Sequence, residues 1–270
     1  MTSSENSRIR SELAGGSVLT VARIGLPLLL LVAWDLASRA GLVSSLFLPS
    51  PSIIIESIWS LIRDDALFAN LGDTLMRLSA GFAAGSLCGV LLALLMVGFV
   101  PFGRALDPII SGLYAVPKVA FLPMLVIWLG IGEVSKVSLI AVGAFFPVLI
   151  NIHVGARDVP PVLLRAARNL GASERQVLFR VVLPAIMPEM FAGLKLGFGV
   201  ALTLTVYAEM IGVGSGIGYL TQTSAQLFEL GKAYGSLVVL IAIAVGSQAL
   251  LAFAQAACCR WQHGRHTIIE

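Results

Sequence analysis

Few residues in this chain have the type and spacing to do chemistry, and none of them is set up to break a bond. Lys118 is flanked by Pro117 and Pro123 inside a long apolar run. An ammonium there is a costly charge, and ionisable groups in such places are candidates for function. It would attract an anion, or be capped by carbonyls that the prolines free. Thr203, Thr205 and Tyr207 place three hydroxyls close together in another apolar run. They would either line a path for a solute or hydrogen-bond between helices. Lys195, Arg77, Asp35 and Glu209 sit near the ends of such runs. Snorkelling is expected for Lys195, a headgroup anchor for Arg77, and solvation or ion pairing for Asp35 and Glu209. The stretch LLRAARNLGASERQVLFRVVLP, Leu163 to Pro184, concentrates four arginines in an otherwise apolar chain.

The motifs of catalysis are missing. There is no G-x-x-x-x-G-K-[ST] phosphate loop; GIGEVSK comes nearest and has the wrong spacing. There is no H-E-x-x-H, no G-x-S-x-G and no paired-cysteine metal spacing. His153, His263 and His266 are scattered, and His153 reads as a headgroup neighbour. The glycines at 212, 214, 216 and 218 permit sharp turns but lack the spacing and strand context of a dinucleotide fingerprint.

The elements that must position these residues are membrane helices. The chain has 270 residues, 57% apolar and only 12% charged, against about 25% charged in soluble domains. No charged residue occurs between Arg77 and Arg104, between Lys136 and Arg157, or between Lys232 and Arg260. Each gap reaches the roughly 20 apolar residues that a helix needs to cross a bilayer, where helices satisfy their own backbone. The pattern predicts an all-α polytopic membrane protein with about six spans: Val18 to Ser38, Gly72 to Phe99, Leu106 to Leu129, Ser135 to Gly155, Pro188 to Ile211 and Ser236 to Cys259. Residues 1–17 form a tail, 18–259 the membrane domain and 260–270 a second tail. With both termini cytoplasmic, eleven arginines fall in inside segments, while Arg39, Arg63, Lys136 and Lys232 fall outside; the positive-inside rule selects that orientation.

The arginine-bearing stretch then lies on the cytoplasmic side, in a loop of about 158–186. Pro160-Pro161 opens one short helix and Gly171 closes it. Ser173 with Gln176 forms a capping-box pattern that starts a second, and Pro184 ends it. This hairpin either holds anionic lipid headgroups or docks a cytoplasmic partner through the small surface of Ala166, Ala167 and Gly171. The outside connections include an amphipathic helix within Pro49 to Leu71 and a second short helix after Gly212.

Ala166-Ala167, Gly171, then Val181-x-Leu183-Pro184 resembles the Glu-Ala-Ala cytoplasmic loop of ABC importer permeases, with matching spacing. Val181 stands for isoleucine, and Arg165 reverses the charge of the family's glutamate. The run from Leu106 to Asn151, GLKLGFGVAL with AEMIG, and GIGYL look like the sulfonate/taurine/nitrate-type permeases, of MetI-like fold. The resemblance implies a translocation pathway built from two permease copies in a bacterial inner membrane. It implies that two separate ATPase subunits bind the ATP and Mg that this chain does not, and that a soluble or lipid-anchored binding protein delivers a small anion such as a sulfonate, taurine or nitrate. The resemblance assigns Arg165, Ala166, Ala167, Gly171, Ala172, Val181, Leu183 and Pro184 to the ATPase-coupling loop. Lys118, Thr203, Thr205 and Tyr207 are the candidate path residues. The alternative is an autonomous secondary transporter or channel; it calls for mid-span carboxylates, and the predicted spans carry none at mid-span. A membrane enzyme lacks its residue cluster, and an assembly protein would use the loop only as an interaction site.

Overall fold

The computed structural model describes residues 25–42, 44, 47–64, 66–211 and 214–260. Both tails, apart from Arg260, and the first part of the expected first span lie outside the described residues. Every regular element among the described residues is helical.

Helix α1 is described over 25–39. Its Asp35 pairs with Arg39 and accepts a hydrogen bond from Ser52. Helix α2, Pro51–Arg63, is capped by Ser50 and is the expected amphipathic helix. Helix α3, Ala66–Gly98, has 33 residues and starts six residues before the span predicted for it. At 1.5 Å per residue it is ~50 Å long, more than a hydrocarbon core requires.

The third predicted span is not straight. It consists of α4, Val100–Ala115, a single turn over Lys118–Ala120, and α5, Phe121–Leu129, with an 82° bend between the two halves. The cause is Pro117. A residue before proline is pushed out of the α region, and Val116 takes φ −69°, ψ 133°. Lys118 therefore sits on an elbow and not part-way along a continuous helix. Four helices are long and apolar enough to cross a membrane, or five if this bent pair is one span.

Helix α6, Glu133–Arg157, is the central post. It is flanked by α3 and by α10, Met187–Ile211, and glycine ridges let the three approach closely. On α3, Gly81, Gly85 and Gly89 recur every fourth residue. A Cβ built on Gly85 would stand 2.1 Å from the Ala141 carbonyl oxygen, and one on Gly81 2.6 Å from Ile140. On α10, Gly193 and Gly197 face Val148 and Ala144 of α6 in the same way. Such small-residue repeats bring helix backbones together where lipid supplies no hydrophobic drive. Two buried clusters fill the space around them. One at the loop end of the bundle includes Ala93, Met96, Phe146, Leu149, Ile152 and Val182. The other, above it, includes Leu78, Ile140, Ala144, Phe198 and Ala201.

Between α6 and α10 the chain forms the hairpin: α7, Pro161–Asn169, α8, Glu174–Val177, a π turn over Leu178–Val182 and α9, Leu183–Ala185. Pro184 does not end the second helix as expected. It lies in the first turn of α9, where its missing N–H costs nothing, and the chain runs on to α10. Helix α11, Ile217–Gln226, precedes α12, Leu230–Cys258, whose apolar surface faces mostly outward.

The backbone contact at Gly85 generates a test. Gly85→Val drives a side chain into the Ala141 carbonyl and should cost at least about 1–3 kcal/mol, since backbone cannot step aside. Gly112→Ala meets nothing within 4 Å and should leave the thermal midpoint of the purified protein unchanged. A thermal-shift measurement in detergent compares the two.

Candidate functional site

The loop hairpin is built from local rules. Pro160 and Pro161 set the entry of α7. At its other end Gly171 has φ +81°, the left-handed conformation suited to glycine. Its N–H donates to the Arg168 carbonyl and that of Ala172 to the Ala167 carbonyl, a complete Schellman closure. Ser173 and Gln176 make the expected capping box in full. Arg168 clamps Glu174 with two hydrogen bonds of 2.8 and 2.9 Å, tying the two short helices together. That guanidinium also holds the Glu174 carboxyl below its ordinary range.

The hairpin has two faces. Leu164, Ala167, Ala172 and Leu178 pack on the loop-end cluster, beside buried Val177 and Val182. On the other face Val162, Ala166 and Leu170 recur every fourth residue and are exposed, with Leu163 beside them. Leu170 is 87% exposed. Arg165 is exposed and makes no ion pair among the described residues. Val181, Leu183 and Pro184 are half-buried and root the second helix in the bundle.

A second constellation lies at the opposite end of the same helices, around Arg77. The sequence places this arginine among headgroups; the structure buries it, with 3% exposed. Its Nε donates to Glu133 Oε2 at 2.5 Å and Nη2 to Glu133 Oε1 at 2.8 Å. Nη1 donates to Glu209 Oε1 at 2.9 Å and to the Ser215 carbonyl at 2.7 Å. Nη2 also donates to Ser215 Oγ at 3.1 Å. All five donors of the guanidinium are used. Glu209 is fully buried and is ion-paired, as expected. Its carboxylate accepts further hydrogen bonds from Thr74 Oγ1 at 2.9 Å and from the Gly218 N–H at 2.9 Å. Thr74 in turn accepts from the Ile217 N–H and Asn70 from the Gly216 N–H. Side chains of α3 and α10 thus satisfy the first amides of α11, whose positive end faces a carboxylate. Gly216 makes this possible: at φ +118°, a Cβ there would stand 2.2 Å from the Glu209 carboxyl carbon.

The candidate path residues do not meet in one place. Lys118 donates to the Tyr114 carbonyl, and its ammonium lies over the rings of Tyr114 and Phe146 at 4.3 and 5.5 Å. Thr203 is exposed and lines a groove with Lys195, Gly199 and Gln248. Thr205, two residues on, points into the bundle, is fully buried and donates to the Ala201 carbonyl. The expected stripe is therefore split, because residues two apart lie on different helix faces. Tyr207 packs on the small cluster beside Phe121 and Leu125 of α5. Lys195 donates to Gln255, in the last turn of α12, at 2.6 Å. His153 is buried, with Asp107 3.5 Å from its Nε2. Sequence reading missed the Arg77 constellation as a unit. Its only signal was three ionisable groups at the edges of apolar runs.

Residues 85–258 match the family described as the binding-protein-dependent transport system inner membrane component. The chain is 36% identical to the taurine transport system permease protein TauC of Escherichia coli (strain K12), over 82% of each chain. It is 35% identical to the putative aliphatic sulfonates transport permease protein SsuC of Bacillus subtilis (strain 168), over 79% of this chain and 78% of that one. A riboflavin transport permease, RibX of Chloroflexus aurantiacus, is 28% identical over 88% of this chain and 90% of its own. Among solved structures, the inward-facing MetNI methionine ABC transporter superposes with a TM-score of 0.54 at 22% identity, over 75% of this chain and 95% of that one. An amino acid ABC transporter superposes with 0.59 at 18% identity, over 75% and 97%.

Removing one member of a buried ion pair strands the other. Glu209→Ala should cost about 3–5 kcal/mol, whereas Lys232→Ala, which breaks a surface pair with Glu229, should cost less than about 1 kcal/mol. Thermal midpoints of the purified variants measure the difference.

Proposed function

The chain belongs to the binding-protein-dependent inner-membrane transport components, and from that premise we propose how this permease subunit of an ABC importer is wired. It is an integral inner-membrane protein and not itself an enzyme; ATP hydrolysis belongs to a separate ATPase subunit. In the proposed arrangement the hairpin end faces the cytoplasm, as the loop arginines favour. The exposed stripe of Val162, Leu163, Ala166 and Leu170 enters a groove of the ATPase, which binds ATP and Mg. Arg165 and Gly171 shape that face and its turn, Ala167 and Ala172 seat the hairpin on the bundle, and Val181, Leu183 and Pro184 connect it to α10. Two copies of the chain enclose the pathway, and a binding protein delivers solute to the opposite face.

The observation that carries this reading is the two-faced hairpin. One face is fixed to the bundle core, and the other holds apolar side chains in the open, where a soluble partner would cover them. An ordinary headgroup-binding loop would need basic groups outward but no exposed Leu170.

The solute proposed is a small organic sulfonate. The similarity to the taurine and sulfonate permeases supports it, as does the intramembrane cation Lys118. Lys118, Thr203 and Tyr207 are the proposed path residues. Thr205 is left out because its hydroxyl is buried and satisfied within its own helix.

Gly171→Arg should abolish docking while leaving insertion intact. Nothing lies within 4 Å of the position, so the added side chain projects from the hairpin without penetrating the bundle. Gly171→Asn, which tolerates the left-handed turn, serves as the control. The expected result is co-purification of the ATPase with wild type and Gly171→Asn and its loss with Gly171→Arg. Unchanged co-purification with Gly171→Arg would remove the docking assignment. For the path, Lys118→Met should lower taurine uptake about tenfold, the equivalent of about 1.4 kcal/mol, with ATPase assembly unchanged. Full uptake by that variant would exclude a role for the cation.

A further inference from the structure

We infer that Arg77 is the joint that makes α3, α6 and α10 one lever, carrying movement from the loop hairpin to the turn at residues 214–218. The inference rests on the permease reading above and adds a positioning residue to it.

The topology supplies the first reason. The hairpin is the chain between the last residue of α6, Arg157, and the first of α10, Met187. Whatever pulls on the hairpin pulls on both helices. At their opposite ends these same helices present Glu133, the first residue of α6, and Glu209, in the last turn of α10. Both carboxylates are bound by the one guanidinium, which comes from α3. The lever is thus closed at each end: by the apolar cluster under the hairpin, and by an ionic fork at the turn.

The second reason is what the fork holds. Arg77 bonds both the carbonyl and the hydroxyl of Ser215. Asn70, Thr74 and Glu209 take the amides of Gly216, Ile217 and Gly218. The turn hangs on α3 and α10 through side chains, so it must travel with them. Glu133 differs from Glu209 in being about half exposed. Its removal frees Arg77 donors near water and strands no deeply buried carboxylate. Lysine cannot replace the fork, since an ammonium is a point charge with three donors and no planar spread.

A purely structural anchor and a joint that transmits movement differ in one observable. An anchor matters equally in every state of the transporter. A joint matters most when closing ATPases displace the hairpin. The experiment is hydrogen–deuterium exchange at Gly216, Ile217 and Gly218, in the full complex with its ATPase, nucleotide-free and trapped with ATP and vanadate. Wild type should protect these amides equally in both states. Arg77→Lys and Glu133→Gln should speed exchange at least about tenfold in the trapped state and less than about threefold without nucleotide, local opening being what exchange reads. Equal acceleration in both states, no acceleration in either, or loss of protection by trapped wild type would each overturn the joint. If Arg77→Lys fails to fold, Glu133→Gln carries the test alone. Wild-type protein that purifies without an ATPase would instead sink the permease wiring itself, before any variant is compared.

Discussion

A guanidinium and a carboxylate can share a low-dielectric interior only if their donors and lone pairs are satisfied, because each unpaired charge there costs several kcal/mol. The Arg77–Glu209 pair meets that condition by recruiting backbone from elsewhere in the chain. Two of the five guanidinium donors go to Ser215, and a Glu209 oxygen goes to the Gly218 amide. The requirement to satisfy two ions therefore dictates where a glycine-bearing turn must lie. That turn fixes the start of α11, and its N-terminal dipole returns the favour to the carboxylate. Three helices and one connection are placed by a single electrostatic demand.

Close packing makes that demand satisfiable. Arg77 and Thr74 reach Glu209 because the backbones of α3, α6 and α10 are unusually near one another. The glycine ridges of α3 and α10 are what bring them there. Bulk at Gly85 would push α3 away from α6, and the ionic fork four residues below Gly81 would lose its reach. Apolar packing and the polar network are thus not independent contributions. The first sets the distance at which the second becomes favourable, and neighbouring contributions of this kind do not add.

The sequence makes the apolar helices, the hairpin and its turn chemistry legible, because each depends on residues close in the chain. Pro161, Gly171 and the Ser173–Gln176 box act over three or four residues, and the structure realises all of them. The elbow at Lys118 is half visible: Pro117 and Pro123 mark a place where a helix can break, but the size of the bend depends on how α5 packs against α6. The Arg77 network was not legible. Its members are 132 residues apart along the chain in the case of Arg77 and Glu209, and nothing local marks them as partners. The threonine pair misled for a related reason. Proximity in sequence suggested a shared stripe, while the helical period puts Thr203 on a groove and Thr205 in the core.

The same network bears on which cations a passing anion could meet. Of the basic residues in the described membrane helices or their bend, Arg104, Lys136, Arg157 and Lys232 lie within about two turns of a helix end, which leaves Arg77, Lys118 and Lys195 to compare. Arg77 has no donor left to offer, so its charge is committed to structure. Lys118 gives one hydrogen bond, to Tyr114, and rests its remaining face on two rings. Lys195 gives one, to Gln255, and lines the groove that includes Thr203. An ammonium has three donors, so each lysine keeps capacity that the arginine has lost. The one guanidinium among these three is thereby removed from competition for solute in the proposed path. A guanidinium left free in the pathway would hold a sulfonate through two parallel hydrogen bonds and slow its release. Point charges with partial occupancy attract an anion without trapping it, which is what a conduit, unlike a receptor, requires.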